Sequence, residues 1–155
     1  MVTKAKLDKA RMVVAVDDSP GSIAALNWAA EHAERYNMFI EVVIAWEQEH
    51  LLESTFAGGL GGQTYMAGID PEVIAATSLE HAVATVFKDG EPSDLSRKVE
   101  FGDPISVLIE ASKGSELLVV GSRGHGALFD LVLGSVSSKI AVESYCPVLI
   151  IHNRK

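Results

Sequence analysis

The chain has 155 residues, of which 48% are hydrophobic, and it carries a formal net charge of −8. This length allows one domain with a full apolar core and is too short for two ordinary domains, so we expect a single domain over residues 1–155. The acidic balance argues against a nucleic-acid partner, because phosphate backbones are held mainly by clustered Lys and Arg. A small anion can still bind backbone N–H groups at a helix start, which net charge does not report.

The single cysteine, Cys146, excludes an internal disulfide framework and a cysteine-rich zinc site, and it fits a reducing compartment. We expect it to be a small, half-buried residue without a chemical role. No apolar stretch near the N-terminus is long enough for a signal peptide or a membrane span. These observations predict a cytoplasmic protein without a membrane partner.

The first third of the chain has the pattern of a βαβ unit. Residues 12–16 form a continuous apolar run typical of a buried strand, and a turn over residues 17–21 follows it. Apolar residues at helical spacing predict an amphipathic helix over residues 22–36, and residues 39–46 are the next buried strand candidate. Crossovers of this length join parallel strands.

The periodicity lapses over residues 47–70, which contain a glycine cluster at 58–62, so we expect a long loop there. A helix should begin at Pro71 and end near residues 89–90. Residues 98–101 alternate like an outer strand, and Asp103-Pro104 should begin a third helix that ends near residues 113–114.

The last third alternates strand, helix and strand again. The apolar run over residues 117–120 predicts a fourth strand. A glycine-rich connection over residues 121–134 then leads into a fourth helix, with Leu133, Val136 and Ile140 facing the core. Residues 148–151 predict a last strand. The predicted fold is therefore α/β, an open five-stranded, mostly parallel sheet with helices on both faces.

Two strand ends are the first candidates for a site, because ligands of open α/β sheets lie beyond the carboxyl ends of strands where the winding reverses. Asp17-Asp18-Ser19 follows the first strand, and Gly121-Ser122-Arg123-Gly124 follows the fourth. We expect the Asp17 carboxylate to accept hydrogen bonds from hydroxyl or amino groups of a ligand, unless Asp17 is only a turn or cap residue. We expect Asp18 to face solvent.

The most informative spacing is Gly121-x2-Gly124-x9-Gly134-Ser135. Because Gly134-Ser135 opens a helix, the N–H groups of Ser135, Val136 and Ser137, with the two serine hydroxyls, can surround phosphate oxygens at the positive end of the helix dipole. Arg123 or His125 can add positive charge. The alternative is a glycine-rich turn followed by an ordinary serine cap.

The spacing differs from two common phosphate-binding motifs, the G-x-G-x-x-G of dinucleotide-binding folds and the P-loop with its lysine. Lys139 lies one turn into the helix and is expected to be solvated. The histidines have no shared spacing with Asp or Glu that indicates a catalytic site, and no His, Cys and Asp cluster has metal-ligand spacing. Mg²⁺ is expected only as a companion of bound phosphates.

In order and spacing, four segments together resemble the universal stress protein family, and the resemblance covers nearly the whole chain. They are Val14-Ala15-Val16-Asp17-x-Ser19, Phe101-Gly102-Asp103-Pro104, the glycine motif, and Pro147-Val148-Leu149. The glycine motif is similar to that of the ATP-binding branch. The resemblance implies that the protein binds ATP and forms a homodimer paired through the C-terminal strand. It also implies a flavodoxin-like fold with strand order 3-2-1-4-5, similar to that of the adenine nucleotide α-hydrolases.

The resemblance also implies roles for individual residues. Asp17 would meet the nucleoside, with Ala15 and Val16 as its strand-end wall, and Trp46 would border the adenine, where stacking on the base and filling of the core both remain open. The remaining residues would hold the ribose and phosphates: Gly121, Arg123, Gly124, Gly134, Ser135, Val136 and Ser137.

Three functions remain as hypotheses. The first is an ATP-binding regulatory protein of the stress response that hydrolyses ATP slowly at most. The second is an enzyme of the adenine nucleotide α-hydrolase group that uses ATP to adenylate a substrate. The third is a dimerisation adaptor whose glycines are purely structural. The sequence does not identify a downstream protein partner.

Overall fold

The computed structural model describes residues 9–47, 68, 70–124 and 133–153. Strands and helices alternate along the whole of this part of the chain. The strands are β1 (Ala10–Ala15), β2 (Met38–Trp46), β3 (Ser96–Phe101), β4 (Leu117–Gly121) and β5 (Val148–Ile151). The helices are α1 (Pro20–His32), α2 (Pro71–Val86), α3 (Pro104–Ser112) and α4 (Ser135–Glu143).

The five strands form one sheet in the order β3-β2-β1-β4-β5, and all four pairings are parallel. This confirms the α/β fold and the strand order that the family resemblance implied. The winding direction reverses between β1 and β4, which are neighbours in the sheet although most of the chain separates them. None of the helices within the described ranges is long and apolar enough to cross a membrane.

Two apolar layers cover the sheet, one on each face. On one face, side chains of β1 and β2 such as Val14 and Val42 pack against Leu26 of α1 and Leu79 of α2. On the other face, Leu118 and its neighbours pack against Leu108 of α3 and Ile140 of α4, which is fully buried. Coverage on both faces explains why the inner strands are continuous apolar runs.

The predicted helices and strands are confirmed, with shifts of a few residues at their ends. The largest shift is at the end of α1, which stops at His32 although apolar spacing predicted helix to residue 36. The cause is the turn into β2: Asn37 adopts a left-handed conformation with φ of 52°, and the Met38 N–H donates to the Ala33 carbonyl at 2.8 Å. The loop predicted over residues 47–70 lies outside the described residues except for residues 47, 68 and 70.

Candidate functional site

The candidate site lies beyond the carboxyl ends of β1 and β4, where two glycines allow α1 to begin against the end of β4. A Cβ atom built on Gly121 would lie 2.6 Å from the carbonyl carbon of Gly21, and one built on Gly21 would collide with the carbonyl oxygen of Arg123. Real Cβ atoms do not approach backbone this closely, so both positions require glycine. Gly21 is not among the residues predicted from the sequence, where its only signal is its place in the Pro20-Gly21 turn.

A third glycine joins the segment after β4 to the segment after β1. A Cβ on Gly124 would collide with Oδ2 of Asp17, so the absence of a side chain there lets the carboxylate lie against the 121–124 segment. Asp17 is also held by its own turn, since Oδ1 accepts from the Ser19 N–H at 3.0 Å and the Asp17 N–H donates to Ser22 Oγ at 3.2 Å. Asp17 and Gly124 are therefore adjacent, as the sequence predicted for the two strand ends.

The start of α4 is tied to the same segment. The Gly134 N–H donates to the Ser122 carbonyl at 2.7 Å, and the buried Ser137 hydroxyl donates to the Gly121 carbonyl at 2.8 Å. We predicted that the Ser137 hydroxyl would hold a phosphate oxygen, but its proton is used here within the fold. What Ser137 offers to an anion in this conformation is its backbone N–H.

The helix starts differ in how their N–H groups are satisfied. α1, α2 and α3 begin with proline, and each is capped by a side chain that accepts from the first turn, in order Ser19, Asp70 and Asp103. α4 begins after Gly134; no side chain among the described residues caps its start, and its first turn has no acidic residue. Its first intrahelical hydrogen bond with the N-cap runs from the Ser138 N–H to the Gly134 carbonyl at 3.0 Å.

This uncapped start has the properties of an anion site. The N–H groups of residues 135–137 belong to the first turn, where an α-helix has no internal acceptors and carries partial positive charge. Ser135 is an exposed residue. Against the described residues, a Cβ on Gly134 would make only ordinary contacts, the nearest 3.5 Å from the Ser122 carbonyl oxygen.

The other predicted site residues occupy different surroundings. Trp46 ends β2, beside β1 at the same sheet edge, where it is half-buried against the core and meets the Phe101 ring edge-on at 4.9 Å. Ala15 is half-buried at the end of β1, and Val16 is 5% exposed and packs in the core. Arg123 is exposed. His125 lies outside the described residues.

The expectation that Asp18 faces solvent is wrong. Its side chain is partly buried and pairs with His81 of α2, with Oδ1 2.7 Å from Nδ1. Asp18 adopts a left-handed conformation with φ of 62°, which turns it away from the course of the preceding strand. Sequence spacing could not reveal this pair, because 63 positions separate its members.

The two remaining expectations near the site agree with the structure. Lys139 is exposed, and its ammonium lies 3.6 Å from the Glu143 carboxylate. Cys146 is half-buried, and burial raises the pKa of its thiol above the ordinary value, which disfavours the nucleophilic thiolate. Within the described ranges, no group of three or more His, Cys, Asp or Glu side chains is arranged to hold a metal ion.

Comparison with known proteins agrees with this architecture. The family model for the universal stress protein family matches residues 10–152. The universal stress protein Rv2005c of Mycobacterium tuberculosis is 33% identical over 153 residues, covering 92% of this chain and 48% of the relative. The chain therefore spans about half the length of the curated relatives it matches.

Solved structures share the fold at lower identity. UspA from Lactobacillus plantarum has a TM-score of 0.68 and 17% identity, covering 92% of this chain and 97% of its own. A universal stress protein from Archaeoglobus fulgidus in complex with dAMP has a TM-score of 0.61 and 20% identity, covering 97% and 99%. Another universal stress protein, in complex with cAMP, has a TM-score of 0.58 and 22% identity, covering 94% and 98%. With a family match from the first strand to beyond the last, the chain belongs to the universal stress protein family.

Proposed function

We propose that this protein binds an adenine nucleotide, ATP, at the carboxyl edge of β1 and β4, and that it acts as a regulatory protein of the stress response. The phosphates lie at the start of α4, on the N–H groups of Ser135, Val136 and Ser137. The ribose lies against Gly121–Gly124, and the nucleoside extends toward Asp17 and Trp46.

The uncapped start of α4 is the observation that carries this proposal. A helix start of this kind needs an acceptor for its N–H groups, and a phosphate supplies several oxygens at the favourable end of the dipole. The glycine at the N-cap supports the same conclusion, because the described residues around Gly134 leave room for a Cβ. A ligand that approaches the backbone closely explains the absence of a side chain at Gly134.

The nucleoside end is defined by a carboxylate. Asp17 lies against Gly124, and a carboxylate accepts hydrogen bonds from hydroxyl and amino groups while it repels phosphate. This orients the ligand with its phosphates toward α4 and its sugar and base toward Asp17. The position of Trp46, two strands from β4 and half-buried, fits the edge of the base.

Structural relatives support an adenine-containing ligand. Two universal stress proteins with this fold were solved in complex with dAMP and cAMP, both of which are adenine nucleotides. The preference for ATP is our inference from the glycine motif, and Mg²⁺ is proposed to accompany the phosphates rather than to occupy a protein-built site.

The direct test is to identify what the protein carries and what it binds. The freshly purified protein is denatured and the released small molecules are identified by mass spectrometry, and binding of ATP, ADP, AMP and cAMP is then measured by calorimetry with and without Mg²⁺. We expect ATP to bind most tightly. Equal or absent binding of all four nucleotides would overturn the proposal, and tighter binding of AMP or cAMP would replace ATP by that ligand.

We also propose that the protein is a homodimer paired through β5. The four residues of Val148–Ile151 are apolar and only half-buried in the single chain, and β5 is an edge strand. Exposed apolar edges are usually covered by pairing. Sedimentation velocity at micromolar concentration should give a dimer, and a monomer under these conditions would contradict this proposal without affecting nucleotide binding.

A further inference from the structure

The edge strand β3, on the side of the sheet opposite β5, carries a pattern of charges that the proposed nucleotide site does not use. β3 pairs with β2 on one side and has no strand on its other side in the described part of the chain. The Gly102 N–H donates to the Trp46 carbonyl at 2.9 Å, so the backbone of Gly102 faces β2. Every second residue of a strand faces the same neighbour, so the N–H and C=O groups of residues 98 and 100 also point toward β2. The backbone N–H and C=O groups of Arg97, Val99 and Phe101 therefore point outward.

The side chains of β3 place opposite charges on one face of this edge. Lys98 and Glu100 lie on the α3 side, with Nζ 3.1 Å from Oε1, and their side chains are 43% and 41% exposed. Val99 packs into the core on the other face, where Phe101 also lies against Trp46. Phe101 is 68% exposed, which is unusual for a large apolar side chain on a strand.

We propose that β3 pairs in antiparallel orientation with β3 of a second copy of this chain, about a two-fold axis at Val99. An axis at this outward-facing residue forms hydrogen-bonded pairs between Arg97, Val99 and Phe101 and their counterparts in the second copy. The same register places each Lys98 directly opposite a Glu100, in the closely spaced type of pair.

The charges select this register over its neighbours. An axis at Lys98 would place two lysines opposite each other, and an axis at Glu100 would place two glutamates opposite each other. Like charges in directly opposed positions are destabilising, whereas opposite charges stabilise the pair. Of these three registers, only the one with its axis at Val99 places opposite charges against each other.

Charged residues on an edge strand commonly prevent pairing, and β3 differs from that pattern. A charged side chain, often lysine, protects an edge because a pairing strand without an opposite charge would leave it unpaired. Here the exposed pair alternates in sign, which attracts an antiparallel copy. On the other face, the same register places Arg97, whose guanidinium lies 2.8 Å from Glu80 and 2.6 Å from Glu91, opposite the exposed Phe101 ring of the second copy.

The Lys98–Glu100 pair is separate from the proposed nucleotide site, because it lies on the α3 face of β3, whereas Phe101 and Trp46 meet on the opposite face. It is also separate from the proposed β5 dimer, which uses the other edge. Two-fold contacts at both edges of one sheet join dimers into larger assemblies. Self-association beyond the dimer is therefore expected as concentration rises.

Charge reversal tests the proposed pairing. Lys98→Glu and Glu100→Lys each place like charges opposite one another in a homotypic pair, so each variant should self-associate about tenfold more weakly than the wild type in sedimentation velocity from micromolar to submillimolar concentration. In a mixed pair, the two glutamates of the Lys98→Glu variant lie opposite the two lysines of the Glu100→Lys variant. Mixing the two variants should therefore restore association. The double variant Lys98→Glu/Glu100→Lys should behave as the wild type does. Circular dichroism and thermal unfolding verify that all variants fold.

A cross-link tests the register itself. In a Cys146→Ser background, Lys98→Cys and Glu100→Cys proteins should form a disulfide when mixed under mild oxidation, because positions 98 and 100 are directly opposed. Neither protein alone should cross-link efficiently, since its two cysteines would be in diagonal positions or further apart. Unchanged association in both charge variants, or equal cross-linking in every combination, overturns the proposal. Neither result bears on nucleotide binding.

Discussion

The starts of α1 and α4 both contact the same segment, Gly121–Gly124, but the backbone N–H groups of their first turns have different hydrogen-bond acceptors. At α1, Pro20 has no N–H, the Ser22 N–H donates to Ser19 Oγ at 3.2 Å, and the Ser22 hydroxyl donates to the Ser19 carbonyl at 3.0 Å. Both serines are buried. At α4 the N-cap is Gly134, no side chain of the described ranges caps the helix, and Ser135 is exposed.

The difference separates structural from ligand-binding use of a helix start. At α1 the donors are satisfied within the protein, which stabilises the turn that carries Asp17. At α4 the first-turn donors remain directed at the sheet edge where ligands of this fold class bind. The two glycines differ in the same way: Gly121 is required by packing against Gly21, whereas the described neighbours of Gly134 leave room for a Cβ.

The largest effect is expected where glycine serves the fold. Gly121→Val forces a side chain into the backbone of Gly21, whose carbonyl carbon lies 2.6 Å from the position that the new Cβ would take. Overpacking of this kind should lower the free energy of unfolding by about 3 kcal/mol. Urea unfolding followed by circular dichroism measures it. The matched control is Gly134→Ala, whose Cβ makes ordinary contacts and should cost much less; equal losses would remove the distinction between the two glycines.

Gly134→Asp converts the start of α4 into the kind of start seen at α2 and α3. The backbone at Gly134, with φ −67° and ψ 163°, is already extended as an N-cap requires, so the carboxylate can accept from the first turn. We expect stability to be kept or raised by a few tenths of a kcal/mol. Nucleotide affinity should fall by about 2 kcal/mol, roughly 30-fold, through repulsion of phosphate.

Calorimetry with ATP measures this change, and Gly134→Asn is the control because it caps the helix without adding a charge. A smaller loss with asparagine than with aspartate would attribute the effect to phosphate at this position. Full affinity in the aspartate variant would place the phosphates elsewhere.

Much of the fold follows from local patterns in the sequence. Apolar runs identify the buried strands, and Asp103-Pro104 identifies the start of α3, because both signals act over a few residues. α1 ends at His32, a few residues before the predicted end, and the residues between them form a turn that the left-handed Asn37 closes. The strand order came from the family resemblance rather than from the periodicity.

The candidate site was predictable in outline for the same reason, since strand ends and glycine spacing are visible in sequence. Side-chain partners were not. The Ser137 hydroxyl bonds Gly121, and Asp18 pairs with His81, because the fold brings together residues 16 and 63 positions apart. Gly21 could not be identified in the same way, because its partner, Gly121, is apparent only once α1 is packed on β4.

Ser135 and Ser137 allow ligand-binding and structural roles to be compared within one turn of α4. Ser135→Ala removes an exposed hydroxyl and should weaken ATP binding by about 1–2 kcal/mol with little change in stability, the scale of a hydrogen bond to a charged group. Ser137→Ala removes the buried bond to the Gly121 carbonyl and should lower stability instead. Calorimetry and urea unfolding of both variants decide this, and unchanged ATP affinity in the first would exclude the Ser135 hydroxyl from the site.

Ser19→Ala is expected to have the smallest effect, and it should act on stability alone. It removes the side-chain cap of α1, for which substitution by alanine typically costs about 1 kcal/mol. ATP affinity should stay within about 0.5 kcal/mol of the wild type, because the donors that this cap satisfies are not those proposed to hold phosphate. Thermal unfolding and ATP titration of the same preparation measure both quantities. A loss of affinity larger than the loss of stability would mean that the turn carrying Asp17 is positioned by its cap, and that the two helix starts act together on the ligand.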